Sequence, residues 1–538
     1  MQRFGHFALI VFEIALLTAL ILAARCANFQ DIFVAGNVYF VDADCYARMT
    51  RAQMVREKPG LIIRHHALEN FPQGTTPHTT ALLDYLIVAL SLFLNPFTAH
   101  ALDLAGAFVS PLLALLAGWF LLWWSVKFRY RWVMLILYAI SPILVHGTEL
   151  GRPDHQSLLI LLVTVAICAE WTLEKLQISD TPSGVTRESH MARGVRAWTL
   201  ASAAAWALAI WVSAYEPLVL FLVLMATALL VNRAVFARDR RAGWILFSGV
   251  IAIAFAIERR VLSFAVLQPN GHLKNWASTI GELAHVSPIN PVWFNWCGYL
   301  LVITPLLIWM SVRMRNDGAQ GLRVPPVCVL LIATYLLTIW QARWGYFFVL
   351  IFALTLPALL ALIKSGAAVW IAVVLSMFPI LRDWDARLWP NEAQLAGRVE
   401  RRIESAQIRD LALSLRSLEV NPFLAPWWLT PSIAYWSGQP GVAGSSHESL
   451  NGIEESAQFF LSENLEQAHD ILDKHRVAWV FAYDSQRVEQ NSAAVLNEAL
   501  PPRALCRLLY ETPSQAPPFL IFSTQNPTCK LYRAAVKR

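Results

Sequence analysis

The sequence predicts a polytopic α-helical membrane protein of about 11 spans, followed by a C-terminal mixed α/β soluble domain on the outer face. Three observations predict it. The 538 residues are 57% hydrophobic and only 15% charged, with a mean hydropathy of +0.47, too little charge for a soluble chain of this length. Apolar runs of near-spanning length recur from Phe7 to Leu381. The basic residues fall mainly in every second short loop, which is how a multi-pass chain sets its orientation. The net charge of +6 is therefore a topology signal and not a nucleic-acid footprint.

Phe7–Ala24 follows Arg3 and reads as an uncleaved first helix with its N-terminus in the cytoplasm, because about 18 apolar residues exceed an ordinary signal-peptide core. A polar outer loop, residues 25–99, comes next. It carries Asp42, Asp44, the basic stretch Arg48, Arg51, Arg56 and Lys58, and the histidines His65, His66 and His78. Within it Ala81–Leu94 is apolar but short, and it contains Asp84. Counted as a span, it would put Asp44 and Asp154 on opposite faces and Lys127, Arg129 and Arg131 outside. Taken as a helix lying on the outer surface, it brings charge and topology into agreement.

The remaining spans are His100–Trp124, Trp132–His146, Leu158–Trp171, Trp198–Val212, Leu218–Val231, Trp244–Ile257, Val292–Val312, Val324–Trp340, Gly345–Ile363 and Ala367–Leu381. The inner loops then hold Lys127 to Arg131, Lys175 to Arg196, Arg233 to Arg241, Arg313 to Arg323, and Lys364. Arg259 and Arg260 are the exception. They open the long outer loop 259–291, and long loops obey the rule weakly. The transmembrane domain is thus 1–381. From 382 to 538 charge rises and proline recurs, giving an extracytoplasmic domain of about 150 residues. Asn391–Ser417, Glu454–Glu463 and Leu465–His475 have helical spacing, while Val477–Ala482, Cys506–Tyr510, Phe519–Ser523 and Cys529–Ala534 suit strands. No Cys-x-x-Cys metal pair occurs. An oxidising compartment would permit a Cys506–Cys529 disulfide, which spacing alone leaves open.

With this topology the polar singularities converge on the outer face. Asp44 lies in the first outer loop and Gly151-Arg152-Pro153-Asp154-His155-Gln156 in the second. Tyr215-Glu216 is in the third and Thr279-Ile280-Gly281-Glu282 in the fourth. Arg343 opens the next inward span, and Trp427-Trp428 is in the soluble domain. Three carboxylates on separate loops suit a hard divalent cation, Mg²⁺ or Mn²⁺, which prefers oxygen ligands. An arginine at the membrane edge suits a phosphate through its planar fork of donors. Plainer readings stand beside these: Asp154 as a helix N-cap, Arg343 as a snorkelling anchor, the two tryptophans as packed core.

Taken in order, these motifs resemble the catalytic subunit of oligosaccharyltransferases, which has the GT-C membrane fold. The resemblance implies that Asp44, Asp154 and Glu282, with His155 in reserve, surround the metal. It implies that Asp44 and Glu282 activate the acceptor, that Arg343 holds the donor phosphate, and that Trp427 and Trp428 grip the acceptor. Two positions depart from the family pattern. Gln156 stands where the family's Asp-x-Asp/Glu motif has its second acid, so His155 or the Gln156 carbonyl would substitute as ligand. Leu429 stands where the family's Trp-Trp-Asp motif has its acid, and it accepts no hydrogen bond from a Ser/Thr hydroxyl. The acceptor is accordingly left as protein, lipid or polysaccharide. The implied activity is transfer of a glycan from a polyprenyl-(di)phosphate-linked donor on the outer face. With no obvious eukaryotic glycosylation features in the sequence, the expected location is a bacterial inner membrane, with the C-terminal domain periplasmic. The alternatives are a single-sugar transferase acting on lipid or polysaccharide, and a non-catalytic transport or polymerisation protein. A transporter should carry polar or broken helices at mid-membrane, whereas these spans are mostly clean.

Overall fold

A computed structural model describes residues 2–178, 185–231, 238–259, 271–283, 297, 300–313 and 326–535. Seven helices are long and apolar enough to cross a membrane: Phe7–Arg25, Ala101–Trp124, His155–Leu176, Gly194–Val212, Arg241–Glu258, Ala342–Leu362 and Gly366–Leu388. Shorter apolar helices, Arg131–Ile140, Tyr215–Leu230, Val327–Trp340 and Leu300–Arg313, stand where the sequence predicts further spans. The chain is a multi-pass membrane protein. The start of the predicted span Val292–Val312, and the end of the outer loop before it, lie outside the described residues.

One span is broken, and the break is repaired by side chains. Helix Arg131–Ile140 ends at Ser141, and Pro142 starts the short helix Pro142–His146. Proline has no N–H, so the carbonyls of the preceding turn lose their helical donors. Arg25, fully buried at the C-terminal end of the first helix, Gln2–Arg25, donates to the carbonyls of Tyr138 and Ala139. The Trp384 indole donates to Ile140 at 2.7 Å. In a membrane an unmet carbonyl costs several kcal/mol, which explains an arginine buried there.

The apolar segment in the first outer loop forms helix Leu82–Leu94. Its odd carboxylate is accounted for: Asp84 is buried and paired with Arg48 at 2.8 Å, with Arg51 3.7 Å away. Both arginines belong to helix Ala43–Glu57, which carries Asp44. Helix Leu82–Leu94 therefore holds the helix that carries Asp44 in place.

The soluble part builds a four-stranded sheet in the order β3-β4-β6-β5, where β3 is Phe423–Leu424, β4 Trp479–Ala482, β5 Leu520–Gln525 and β6 Lys530–Ala534. Only the β3–β4 pair is parallel. A small hairpin in the first outer loop supplies β1 (Phe33–Val34) and β2 (Asn37–Val38). The predicted strand Cys506–Tyr510 is instead part of helix Leu505–Glu511. Leu505, Cys506 and Leu509 face the core at helical spacing, which strict alternation would have split between two faces. Cys506 and Cys529 are both buried as separate thiols.

Backbone pairing joins the first outer loop to the soluble domain. Phe71 N–H bonds to Gly441 O at 3.0 Å and Gly441 N–H to Leu68 O at 2.9 Å. Helix Thr430–Ser437 packs on helix Ala43–Glu57, where Tyr46 and Trp436 meet edge-on at 5.0 Å. These contacts bring the segment Ser445-Ser446-His447-Glu448 over Asp44.

Candidate functional site

Helix Ala43–Glu57 begins at the site. Asp42 caps it, accepting from Cys45 N–H at 3.0 Å, and also pairs with Arg152 at 2.7 Å. Asp42 is thus committed to structure. Asp44, in the first turn, opens onto the cleft. Protein surrounds that cleft, and this low-dielectric setting pushes the Asp44 carboxyl up to about 7, helped by the charges of Asp42 and Asp154 and opposed by a hydrogen bond from Ser445.

Asp154 ends the turn that opens at Gly151, whose φ of +76° suits glycine; a Cβ there would also strike Ile32 at 2.4 Å. The Asp154 carboxylate accepts from His155 N–H at 2.6 Å and holds His155 Nδ1 at 2.5 Å. Burial works to raise its pKa, but His155, Arg152 and Arg48 hold it well below the usual carboxylate range. With Nδ1 engaged, His155 Nε2 is left buried with no hydrogen-bond partner among the described residues. Gln156 is 1% exposed, and neither atom of its amide has a partner there. Buried amides are seldom left unsatisfied, so these atoms are free to meet a partner outside the described residues.

Glu282 sits in the 3₁₀ turn Gly281–Leu283 and accepts from Tyr346 O–H at 2.7 Å. Tyr346 O also lies 2.8 Å from His146 Nδ1, and His146 Nε2 lies 3.0 Å from an Arg152 nitrogen. Arg152 can only donate, so Nε2 accepts; Nδ1 then carries the proton and donates to Tyr346. The chain of donors runs Arg152, His146, Tyr346, Glu282. Burial raises the Glu282 pKa, against Arg152, Arg343 and the tyrosine bond.

Arg343 lies in the 3₁₀ turn Ala342–Trp344 and is ion-paired with Glu216, itself 1% exposed. Its Nε is buried without a hydrogen-bond partner among the described residues. The third-loop carboxylate, to which the sequence assigned no role, is thus the counter-ion of the arginine.

Trp427 and Trp428 are half-buried and meet edge-on at 5.9 Å. The Trp427 indole donates to Asn491 at 2.7 Å, and its ring packs 6.1 Å from Trp276, three residues before Thr279. Trp427 therefore touches helix Gly271–Ser278, which leads into the turn that carries Glu282. Leu429 precedes helix Thr430–Ser437.

The structure adds residues that the sequence reading left out. His78 Nδ1 lies 2.6 Å from Glu448 Oε1, and its ring is 5.3 Å from that of His447 and 5.8 Å from that of His155. Ligand atoms of His78, His447 and Glu448 all lie within 4.8 Å of one another. Among the described residues this is the one group of three such side chains gathered so closely; Asp44, Asp154 and Glu282 share the cleft at wider spacing. Burial opposes a charge on His78, yet Glu448 and then Asp44 raise its pKa, while His78 and His447 hold Glu448 well below the usual range. Positions 78 and 448 are 370 residues apart. No local spacing could have joined them.

No protein-family profile matches the chain. One curated relative is the dolichyl-phosphooligosaccharide-protein glycotransferase 1 of Archaeoglobus fulgidus, 27% identical over 145 residues. That match covers 26% of this chain and 24% of the relative, so the chain matches about a quarter of the relative's length. Among solved structures, the Archaeoglobus fulgidus oligosaccharyltransferase tethered to an acceptor peptide containing the NVT sequon superposes with a TM-score of 0.66 at 14% identity, covering 90% of this chain and 70% of that one. ArnT from Cupriavidus metallidurans, bound to undecaprenyl phosphate, superposes with a TM-score of 0.56 at 14% identity, covering 98% of both chains. The chain has the GT-C fold. In this GT-C chain, the ends of separate helices and the soluble domain beside them supply the polar groups of one cleft.

Proposed function

We propose that this chain is a GT-C membrane glycosyltransferase of the oligosaccharyltransferase type, moving a glycan from a polyprenyl-(di)phosphate carrier to an acceptor at the outer face. The observation that carries the reading is the meeting of Asp44, Asp154, Glu282 and Arg343 in one cleft at the outer ends of the spans. The acceptor nucleophile attacks the anomeric carbon, the bond from that carbon to the phosphate oxygen breaks, and the lipid phosphate leaves with the electron pair. Asp44, in the first turn of its helix and open to the cleft, orients the acceptor and takes its proton. Arg343, steadied by Glu216, offers its unpartnered Nε to the departing phosphate. Glu282, fixed by Tyr346, faces the acceptor from the other side. Trp427 and Trp428 flank the acceptor path.

The residues present fit a divalent cation. Asp44, Asp154 and Glu282 supply carboxylates, and the unpartnered His155 Nε2 and Gln156 amide supply neutral donors beside them. When bound, Mg²⁺ or Mn²⁺ would polarise the leaving phosphate. The archaeal oligosaccharyltransferase has been solved with zinc and sulfate, which supports a cation here.

A second reading, single-sugar transfer to a lipid or polysaccharide, is favoured by Leu429, which removes the acid that would grip a Ser/Thr hydroxyl. The full-length correspondence with ArnT, solved with undecaprenyl phosphate, supports a polyprenyl-phosphate carrier under either reading. We place the protein in a bacterial inner membrane, with its N-terminus cytoplasmic and residues 382–538 forming a periplasmic domain. The test is transfer from a polyprenyl-linked glycan by purified protein in detergent, offered a sequon peptide, a glycolipid or a polysaccharide acceptor. Asp44→Asn and Glu282→Gln should each reduce transfer by at least about 100-fold; full activity in both would overturn the mechanism. Transfer to peptide would restore sequon recognition despite Leu429.

A further inference from the structure

Three side chains beside the cleft take no part in the transfer chemistry. His78 stands in the first outer loop, and His447 and Glu448 stand in the turn His447–Ser449 of the soluble domain. Their ligand atoms lie within 4.8 Å of one another. Glu448 Oε1 accepts from the backbone N–H of His78 at 2.5 Å and lies 2.6 Å from its Nδ1. The His447 imidazole makes no hydrogen bond among the described residues, and its Nδ1 lies 3.6 Å from Glu448 Oε2. Two imidazoles and one carboxylate form a set that zinc uses, whereas Mg²⁺ and Mn²⁺ prefer oxygen.

A second observation points to the same place. His155 opens helix His155–Ile178, and its ring stands edge-on to that of His78, 5.8 Å away. The residue is 7% exposed, and its Nε2 has no hydrogen-bond partner among the described residues. Nδ1, across the ring, is held by Asp154 at 2.5 Å. With Nδ1–H donating to the carboxylate, the neutral ring keeps its lone pair on Nε2. An imidazole tied to a carboxylate through one nitrogen is the usual arrangement behind a metal-bound histidine. The surrounding charge also suits a cation: Glu448 and Asp44 both act on His78, and Arg343, whose charge reaches His78 and His447, is already paired with Glu216.

We propose that His78, His447, Glu448 and His155 Nε2 bind a zinc-type divalent cation at a second site, beside the carboxylate site. The carboxylate site then keeps Asp44, Asp154, Glu282 and the Gln156 amide. Zinc–nitrogen bonds of about 2.0–2.1 Å in a tetrahedron set the donor atoms roughly 3.4 Å apart, so the group closes on the ion by side-chain rotation. The four ligands come from the first outer loop, the soluble domain and a membrane helix. Backbone bonds between Phe71 and Gly441 already join the first two parts. The ion adds the third and latches the soluble domain over the cleft. This role needs neither the donor nor the acceptor of the transfer reaction.

The probe is Zn²⁺ itself, titrated into full-length, chelator-stripped protein in detergent. The background is Asp44→Asn with Glu282→Gln, which dismantles the carboxylate site and leaves Asp154 to orient His155. Binding is read in a protein without transfer activity, so failure of the latch and failure of the glycosyltransferase reading are distinguishable. One Zn²⁺ per chain should bind, raise the melting temperature, and resist about a tenfold excess of Mn²⁺. His447→Gln, Glu448→Gln and His155→Asn should each weaken binding by at least about 10-fold. The His447 imidazole has no hydrogen bond to lose, so His447→Gln keeps its fold, and its zinc-free melting temperature is the control. Loss of all zinc binding in the background protein would overturn the second site. So would bound zinc whose affinity is unchanged by His447→Gln and Glu448→Gln. Unchanged affinity in His155→Asn alone would overturn the four-ligand site and the latch to the membrane helix.

Discussion

Tyr346 carries the least expected single-residue role. It lies at the start of a membrane helix, fully buried, and its hydroxyl links His146 to Glu282. Such outer partners of a functional carboxylate commonly matter about 10- to 100-fold. Tyr346→Phe keeps the ring and removes only the O–H. It should lower kcat by about 10-fold or more, with the KM for the lipid-linked donor little changed, since Arg343 is untouched. A rise in KM with kcat intact would show that Tyr346 shapes donor binding and does not position Glu282. Residue chemistry was readable from the sequence where the residue types were unusual. Asp44, Asp154, Glu282 and Arg343 stood out as charges at membrane edges. His78 did not, because loop histidines are common, and Glu448 had no signal beyond being one acid in a soluble domain.

At the scale of elements, the broken span shows why helices in lipid need side-chain help. The sequence shows Pro142 inside an apolar run, but not which donors replace the lost backbone bonds. Arg25 and Trp384 come from the first and last spans, so the break also fastens those spans together. Arg25→Met should destabilise the protein by about 3 kcal/mol or more, because buried carbonyls lose their donors. The measurement is the melting temperature in detergent, where a fall of several degrees is expected. An unchanged midpoint would mean that the Tyr138 and Ala139 carbonyls find other donors. Helix Leu82–Leu94 was read as a surface helix for a different reason. Treating Leu82–Leu94 as a span broke the charge rule, and the buried Asp84–Arg48 pair explains the carboxylate that made it look anomalous. Helix Leu505–Glu511 was misread as a strand because five mixed residues satisfy either period.

At the scale of the molecule, the first outer loop and the soluble domain form one lid over the cleft, and Glu69 lies in their joint. It is buried, and a Cβ on Gly444 would come within 2.8 Å of its carboxyl. Burial first, then the charges of Glu448 and Asp44, push the Glu69 carboxyl from 4.5 up to about 7, against Arg51. The folded pKa exceeds the unfolded one, so the fold binds the extra proton. Its stabilising contribution is complete below pH 4.5 and is lost as pH rises through 7. Glu69→Gln should therefore match the parent in melting temperature near pH 4.5 and exceed it at pH 8, by an amount corresponding to about 1–3 kcal/mol. A constant difference at both pH values would exclude the proton linkage.

Composition, hydropathy and the placement of basic residues determined by themselves that the chain spans a membrane many times and that its acids face one side. Those properties follow from solvent: apolar runs must meet lipid, and loop charges set orientation. The order of Asp44, Asp154-His155-Gln156, Glu282 and Arg343 was enough to suggest the fold. Only the tertiary structure decided that Glu448 reaches His78 across 370 residues, that Glu216 pairs with Arg343, and that Tyr346 holds Glu282. Such pairings depend on how helices and a separate domain pack, and sequence neighbours carry no record of which distant carboxylate meets which cation.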